Sequence, residues 1–166
     1  ALSGNDRDIT IEYKSEKTVE EIIKSALKYS NNYVTNQLFL EVGKKQYGAP
    51  ATWEKSNLAI QTYLQEIYPS ENALPTVVEG SGLSRKNRIS PVQLLVLVDL
   101  FKPYAKDLMP PKGNMYIKSG TLKGVYCYAG YIPSPKGVHS VVIMLNQKEN
   151  IRDTILDYLN KKALEL

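Results

Sequence analysis

The sequence predicts an α+β fold, because two hydrophobic periodicities occupy separate stretches of the chain. Up to about residue 110 the apolar residues recur at helical spacing. From Met115 the texture changes to runs rich in Val, Ile and Tyr separated by Gly or Pro loops, and a helical stripe returns near the end. Helices followed by strands and then a helix is the order of an α+β chain, not of alternating βαβ units. At 166 residues the chain suits one globular unit, a helical part over about 1–110 and strands with a terminal helix over about 111–166.

Val19, Ile22, Ile23, Ala26 and Leu27 form the first stripe, and Thr18 with Glu21 makes a Thr-x-x-Glu capping box in front of it. A second helix is expected from about Asn32 to Val42, stopped by Gly43, with Ser30-Asn31-Asn32 as the polar break between the two. Ile60, Tyr63, Leu64 and Ile67 mark a third, ended by Pro69. Ser90-Pro91 opens a fourth, because serine caps free N–H groups and proline fits a first helical turn. Its body, Gln93 to Phe101, is almost wholly apolar and so is expected to be buried.

Three consecutive antiparallel strands are expected at Met115 to Lys118, Gly124 to Tyr131 and Val138 to Leu145. The last is apolar on both faces for most of its length, which calls for cover on both sides. Ile151, Ile155, Tyr158 and Leu159 are spaced for a terminal helix that supplies one cover.

Composition excludes several function classes. Lys and Arg total 21 against 17 Asp and Glu, a mild excess of +4 spread along the chain, so nucleic acid is not implied. The single Cys127 leaves no internal disulfide or paired-cysteine zinc site, and the lone His139 removes most histidine-based metal constellations. No metal or cofactor is expected. No stretch approaches the roughly 20 apolar residues of a membrane span, and the start at Ala1 shows no secretory signal. Cys127 and His139 read as a small core residue and a strand-edge residue, and Trp53 and the tyrosines read as packing residues before groove-lining ones.

Three polar segments sit where elements begin or end: Ser30-Asn31-Asn32, Glu79 to Arg85, and Lys118-Ser119-Gly120-Thr121 at a strand end. Each alone is an ordinary turn. In this order and with these neighbours they resemble the low-molecular-mass class C penicillin-binding proteins, the serine D-alanyl-D-alanine carboxypeptidases of the peptidase S13 family. Ser30-Asn31-Asn32 matches the family's Ser-x-Asn. Gly80 to Arg85 matches its Gly-Ser-Gly-Leu-Ser-Arg signature and continues to Asn87, Arg88 and Ser90, and Lys118 to Leu122 stands for its Lys-Thr-Gly-Thr-Leu. The resemblance covers nearly the whole chain.

It implies the C-terminal part of a penicillin-binding-protein/β-lactamase-like fold and an acyl-serine peptidase acting on peptidoglycan peptides, periplasmic or otherwise extracytoplasmic, and acylated by β-lactams. It admits endopeptidase activity alongside carboxypeptidase activity. Ser30 would relay a proton towards the leaving D-alanine, and Asn32 would hydrogen-bond the substrate's peptide amide. Lys118 would supply positive charge near the relay, and Ser119 a hydroxyl donor to the substrate carboxylate. Gly120 would leave room for substrate along the strand, and the Thr121 N–H would be one oxyanion donor. Arg85 and Arg88 either meet substrate carboxylates or brace their loop, and bracing is the preferred reading.

Two departures stand out. Ser119 replaces the more frequent threonine and keeps the hydroxyl. The family's Ser-x-x-Lys belongs far upstream of Ser-x-Asn, whereas only 29 residues precede Ser30. Ser25 alone has lysine three positions on, at Lys28, but it lies on the helix leading directly into Ser30. The expectation is that Ser25 is a decoy, that an upstream part of the same protein carries the nucleophile, and that this chain alone is inactive. Two alternatives remain: a β-lactamase of the same fold, and a non-catalytic peptidoglycan-binding module.

Overall fold

A computed structural model describes residues 14–70 and 73–166, so the reading of the Ala1 end falls outside the described residues. Among the described residues six α-helices and four strands follow one another as α1 (Val19–Tyr29), α2 (Asn32–Tyr47), α3 (Trp53–Ile67), α4 (Pro91–Phe101), α5 (Ala105–Leu108), β1 (Pro111–Lys112), β2 (Met115–Leu122), β3 (Val125–Ser134), β4 (Gly137–Asn146) and α6 (Arg152–Leu164). A 3-10 turn at Lys102–Tyr104 joins α4 to α5.

The expected Thr18–Glu21 capping box is formed, and the expected Ser90 cap is part of a second one. The Thr18 side chain accepts from Glu21 N–H while Glu21 reaches back to Thr18 N–H, and Ser90 and Gln93 repeat the exchange with Pro91 in the first turn. Helix α2 runs past Gly43, the expected stop, to Tyr47. Gly43 is buried where α3 crosses, and a Cβ there would lie 2.7 Å from Ser56 Cα, so this glycine allows two backbones to approach. Helix α3 begins at Trp53, earlier than its apolar stripe; Thr52 caps it, and the Trp53 ring packs on Phe39 at 5.8 Å between centroids.

The sheet is antiparallel in the order β1-β2-β3-β4. Strand β2 extends to Leu122, so Lys118 to Thr121 lie within it and not at its end. β3 pairs along one side of β2 from Tyr116 to Leu122, whereas β1 covers the other side only at Met115 and Tyr116. Ile117 N–H still donates to Pro110 C=O at 3.1 Å, so among the described residues the segment from Lys118 to Leu122 keeps one free edge.

Helices cover both faces, as the doubly apolar β4 requires. On one face Met115, Ile117, Tyr128, Ile132, Val141 and Ile143 pack with Leu156 and Ala163 of α6. On the other, Tyr131 packs with Val98 of α4 and Ala105 of α5, and its hydroxyl donates to Val98 C=O at 2.6 Å. Burial, with the Asp99 charge adding to it, pushes the Tyr131 phenol up to about 12. Strand alternation then gives Lys118 to the α4 side and Ser119 and Thr121 to the α6 side. No described helix is long and apolar enough to cross a membrane.

Candidate active site

The α1–α2 break puts the first polar segment in place. Ser30 ends α1 in the left-handed region (φ 52°, ψ 48°), its N–H donating to Ala26 C=O; Asn31 then caps α2 by accepting from Val34 N–H at 3.1 Å. This reversal within one residue leaves the Ser30 hydroxyl at the surface, facing β2.

Lys118 meets it. Its Nζ donates to Ser30 Oγ at 2.5 Å and to the Ser119 C=O at 2.8 Å, joining two segments 88 residues apart. Burial, and after it the Arg152 charge, pulls Lys118 below the ordinary lysine value. An amine that yields its proton more easily, in contact with a hydroxyl, is chemically able to pass a proton to it.

The other expected residues lie close by in different settings. Asn32 is the exposed first residue of α2 and has no side-chain hydrogen bond among the described residues. Ser119, Gly120 and Thr121 are exposed on the free part of β2. A Cβ on Gly120 would meet only Cys127 Cβ, at 3.7 Å, so the fold itself leaves space there.

The Glu79 to Asn87 loop is organised by one carboxylate. Glu79 accepts from Ser81 N–H at 2.7 Å, Ser84 N–H at 3.1 Å and Asn87 Nδ2 at 2.7 Å, and from the Ser81 hydroxyl. Burial works to raise the Glu79 pKa, but these donors outweigh it and hold it below the usual value. Gly80 anchors the loop on α2 through N–H to Asn36 Oδ1 at 2.8 Å, where a Cβ would come within 2.8 Å of Phe39 Cβ. Arg85 Nη2 donates to the Lys123 C=O at 2.7 Å, so this side chain ties the loop to the β2–β3 turn, and Arg88 N–H and C=O pair with Thr76.

Arg152, the first residue of α6, is absent from the motifs and central to the geometry. Its Nη1 donates to Gly120 C=O and Thr121 Oγ1, both at 2.8 Å. No local pattern announces it, because its contacts are with a strand 31 residues earlier. Ser25 sits elsewhere, with Ile22, Val34 and Leu38 between α1 and α2. Lys118 instead borders the groove of Ile23, Leu27 and Leu94. His139 Nε2 lies 2.8 Å from Ser134 Oγ, and Cys127 is half-buried with its thiol pushed up by burial. Among the described residues no cluster of His, Cys, Asp and Glu could hold a metal.

A lysine–serine pair beside the free edge of an antiparallel sheet, with helices on both faces, defines a protein of the penicillin-binding-protein/β-lactamase-like fold. The chain is similar over 87% of its length to penicillin binding protein 4 of Haemophilus influenzae solved with a β-lactam, with a TM-score of 0.70 and 23% identity over 41% of that chain. It is similar over 86% of its length to the extended-spectrum β-lactamase TLA-1, with a TM-score of 0.56 and 16% identity over 64% of that chain. Residues 9–109 match the D-Ala-D-Ala carboxypeptidase 3 (S13) family, and the chain belongs to that family. The D-alanyl-D-alanine carboxypeptidase DacB of Haemophilus influenzae is 26% identical over 144 residues, which are 73% of this chain. The chain spans 30% of that relative's length. Lys118 lies beyond the family-matched span, so its place beside Ser30 is a finding of the structure.

Proposed function

We propose that this chain supplies the proton-relay and carboxylate-binding half of a serine D-Ala-D-Ala carboxypeptidase that acts on peptidoglycan peptides outside the cytoplasm and is acylated by β-lactams. The nucleophilic serine, with the lysine three residues on, comes from an upstream part of the same protein. The observation that carries this reading is the Lys118–Ser30 contact at 2.5 Å beside the free edge of β2.

In the reaction a serine oxygen attacks the carbonyl carbon of the penultimate D-alanine, and the C–N bond to the terminal D-alanine breaks. The proton lost by the serine must reach the leaving amine. Ser30 and Lys118 form the relay, and the depressed Lys118 pKa eases release of its proton towards the leaving amine. Water then cleaves the acyl-serine ester. Asn32 holds the peptide amide of the substrate, Thr121 N–H stabilises the oxyanion, the Ser119 hydroxyl binds the carboxylate, and Gly120 lets the peptide lie against the strand. The same groups would serve an endopeptidase.

Mass spectrometry after exposure to a β-lactam tests this. The whole protein, upstream part included, is expected to gain one covalent adduct on an upstream serine, and Ser30→Ala and Lys118→Ala to gain it about 100-fold more slowly. The 166-residue chain alone is expected to gain none. A whole protein that takes no adduct on any serine overturns the enzyme in favour of a binding module, and an adduct on Ser25 moves the nucleophile into this chain.

A further inference from the structure

We propose that Arg152 is a positioning residue that makes this site demand a free C-terminal carboxylate on its substrate, acting through the Thr121 hydroxyl; the inference rests on the carboxypeptidase reading above. The guanidinium is held in one place from several directions. Nη1 donates to Gly120 C=O and Thr121 Oγ1 at 2.8 Å and lies 3.4 Å from Cys127 C=O. The guanidinium carbon stands 4.6 Å from the centroid of the Tyr128 ring, a cation–π contact. Tyr128 is fixed in turn by its hydroxyl, which donates to Asp153 Oδ1 at 2.8 Å. Nε is buried with no hydrogen-bond partner among the described residues, so no described carboxylate draws the group away from the strand.

The consequence lies in the Thr121 hydroxyl. It has one proton to give, and it accepts from Arg152. A hydroxyl that accepts from a cation must direct its own proton elsewhere, and no described residue receives it. Thr121 is exposed on the free part of β2, two residues from Ser119 and on the same face. Arg152 therefore keeps Thr121 as a donor whose proton is free for a ligand at the strand edge, and polarises it with a positive charge from the α6 side. Two hydroxyl donors on one strand face, one of them resting on a half-buried cation, suit an anionic carboxylate, whereas a terminal amide would bring N–H donors against them.

The test uses the whole protein and two peptides ending in D-Ala-D-Ala, one with a free carboxylate and one amidated. The ratio of their kcat/KM values is the readout. Arg152→Gln is expected to lower the preference for the carboxylate about 10- to 100-fold, chiefly through KM, and Arg152→Lys to restore part of it. Thr121→Val should lower it similarly, and Arg152→Gln added to Thr121→Val should take away little more. Equal losses on both peptides, or fully additive losses in the double variant, would mean a structural role only and overturn the inference. Should Arg152→Gln not fold, an undiminished carboxylate preference in Thr121→Val overturns it. A wild-type protein silent on both peptides sinks the carboxypeptidase reading, and the inference with it.

Discussion

Ser30 adopts a conformation that a glycine would adopt more easily. Left-handed backbone costs a residue with a side chain about 1 kcal/mol, and here that cost places a hydroxyl against Lys118. Gly120 presents the reverse case. Its missing side chain is not required by packing, since an added methyl would meet only Cys127 Cβ at 3.7 Å. Gly120→Ala is therefore expected to leave the thermal midpoint within about 2 °C while slowing β-lactam acylation of the whole protein at least tenfold, because the methyl would crowd the strand where the proposed function seats the substrate. Calorimetry and stopped-flow acylation read the two effects separately, and a variant that loses stability without losing rate would make Gly120 a packing residue. At this scale the sequence was legible for Ser30, Lys118 and their neighbours because each belongs to a contiguous motif. It was silent on Arg152, whose meaning exists only once α6 packs on the sheet.

Elements were legible where local chemistry fixes them. Thr18 with Glu21 and Ser90 with Pro91 set two helix starts to the residue. Gly43 misled, because a glycine that lets another helix approach and a glycine that ends a helix look alike until the partner, here Ser56, is known. Strand β2 outran its apolar stretch since Ser119 to Leu122 are kept extended by pairing with β3, a tertiary cause with no local signal. The Glu79 loop belongs to the same class. Its carboxylate gathers Ser81, Ser84 and Asn87, and Arg85 then binds the loop to the Lys123 turn. Glu79→Gln turns one acceptor atom into a donor facing donors, with an expected loss of about 1 kcal/mol for so accessible a site. The sign of its pH dependence follows from the lowered Glu79 pKa. The folded state favours the carboxylate, so the stabilisation is complete above the ordinary value of 4.5 and is lost as pH falls through the lower folded value. Urea titrations of both forms should show a gap at pH 7 that closes in that acid window; a gap independent of pH would assign the loss to packing.

Across the whole molecule, apolar surface is distributed in a way that polar motifs do not explain. Ile23 and Leu27 of α1, Leu94, Leu97 and Phe101 of α4, and Met109 are only half-buried and frame a groove of about 330 Å³ that reaches Lys118. On the outer side of α4, Val92, Val96 and Leu100 form a second stripe, 68%, 37% and 52% exposed at four-residue spacing. The α4 sequence, apolar all round, anticipated burial on every side, and the described residues provide it on one. Grooves of this kind are uncommon on an isolated soluble chain. The 166-residue chain by itself is therefore expected to bind a hydrophobic dye such as anilinonaphthalene sulfonate and to self-associate at micromolar concentration. Leu97→Glu, at a half-buried position lining the groove, should remove most of the dye signal while leaving far-UV helicity unchanged. Adding the upstream part of the protein should suppress dye binding by the unsubstituted chain, because the same groove borders the Lys118 amine that the proposed reaction needs beside its nucleophile. Dye fluorescence and light scattering across a concentration series measure this. A chain that stays monomeric and dye-silent on its own would show that its apolar faces are already covered, and that the part of the protein carrying the nucleophile meets it elsewhere.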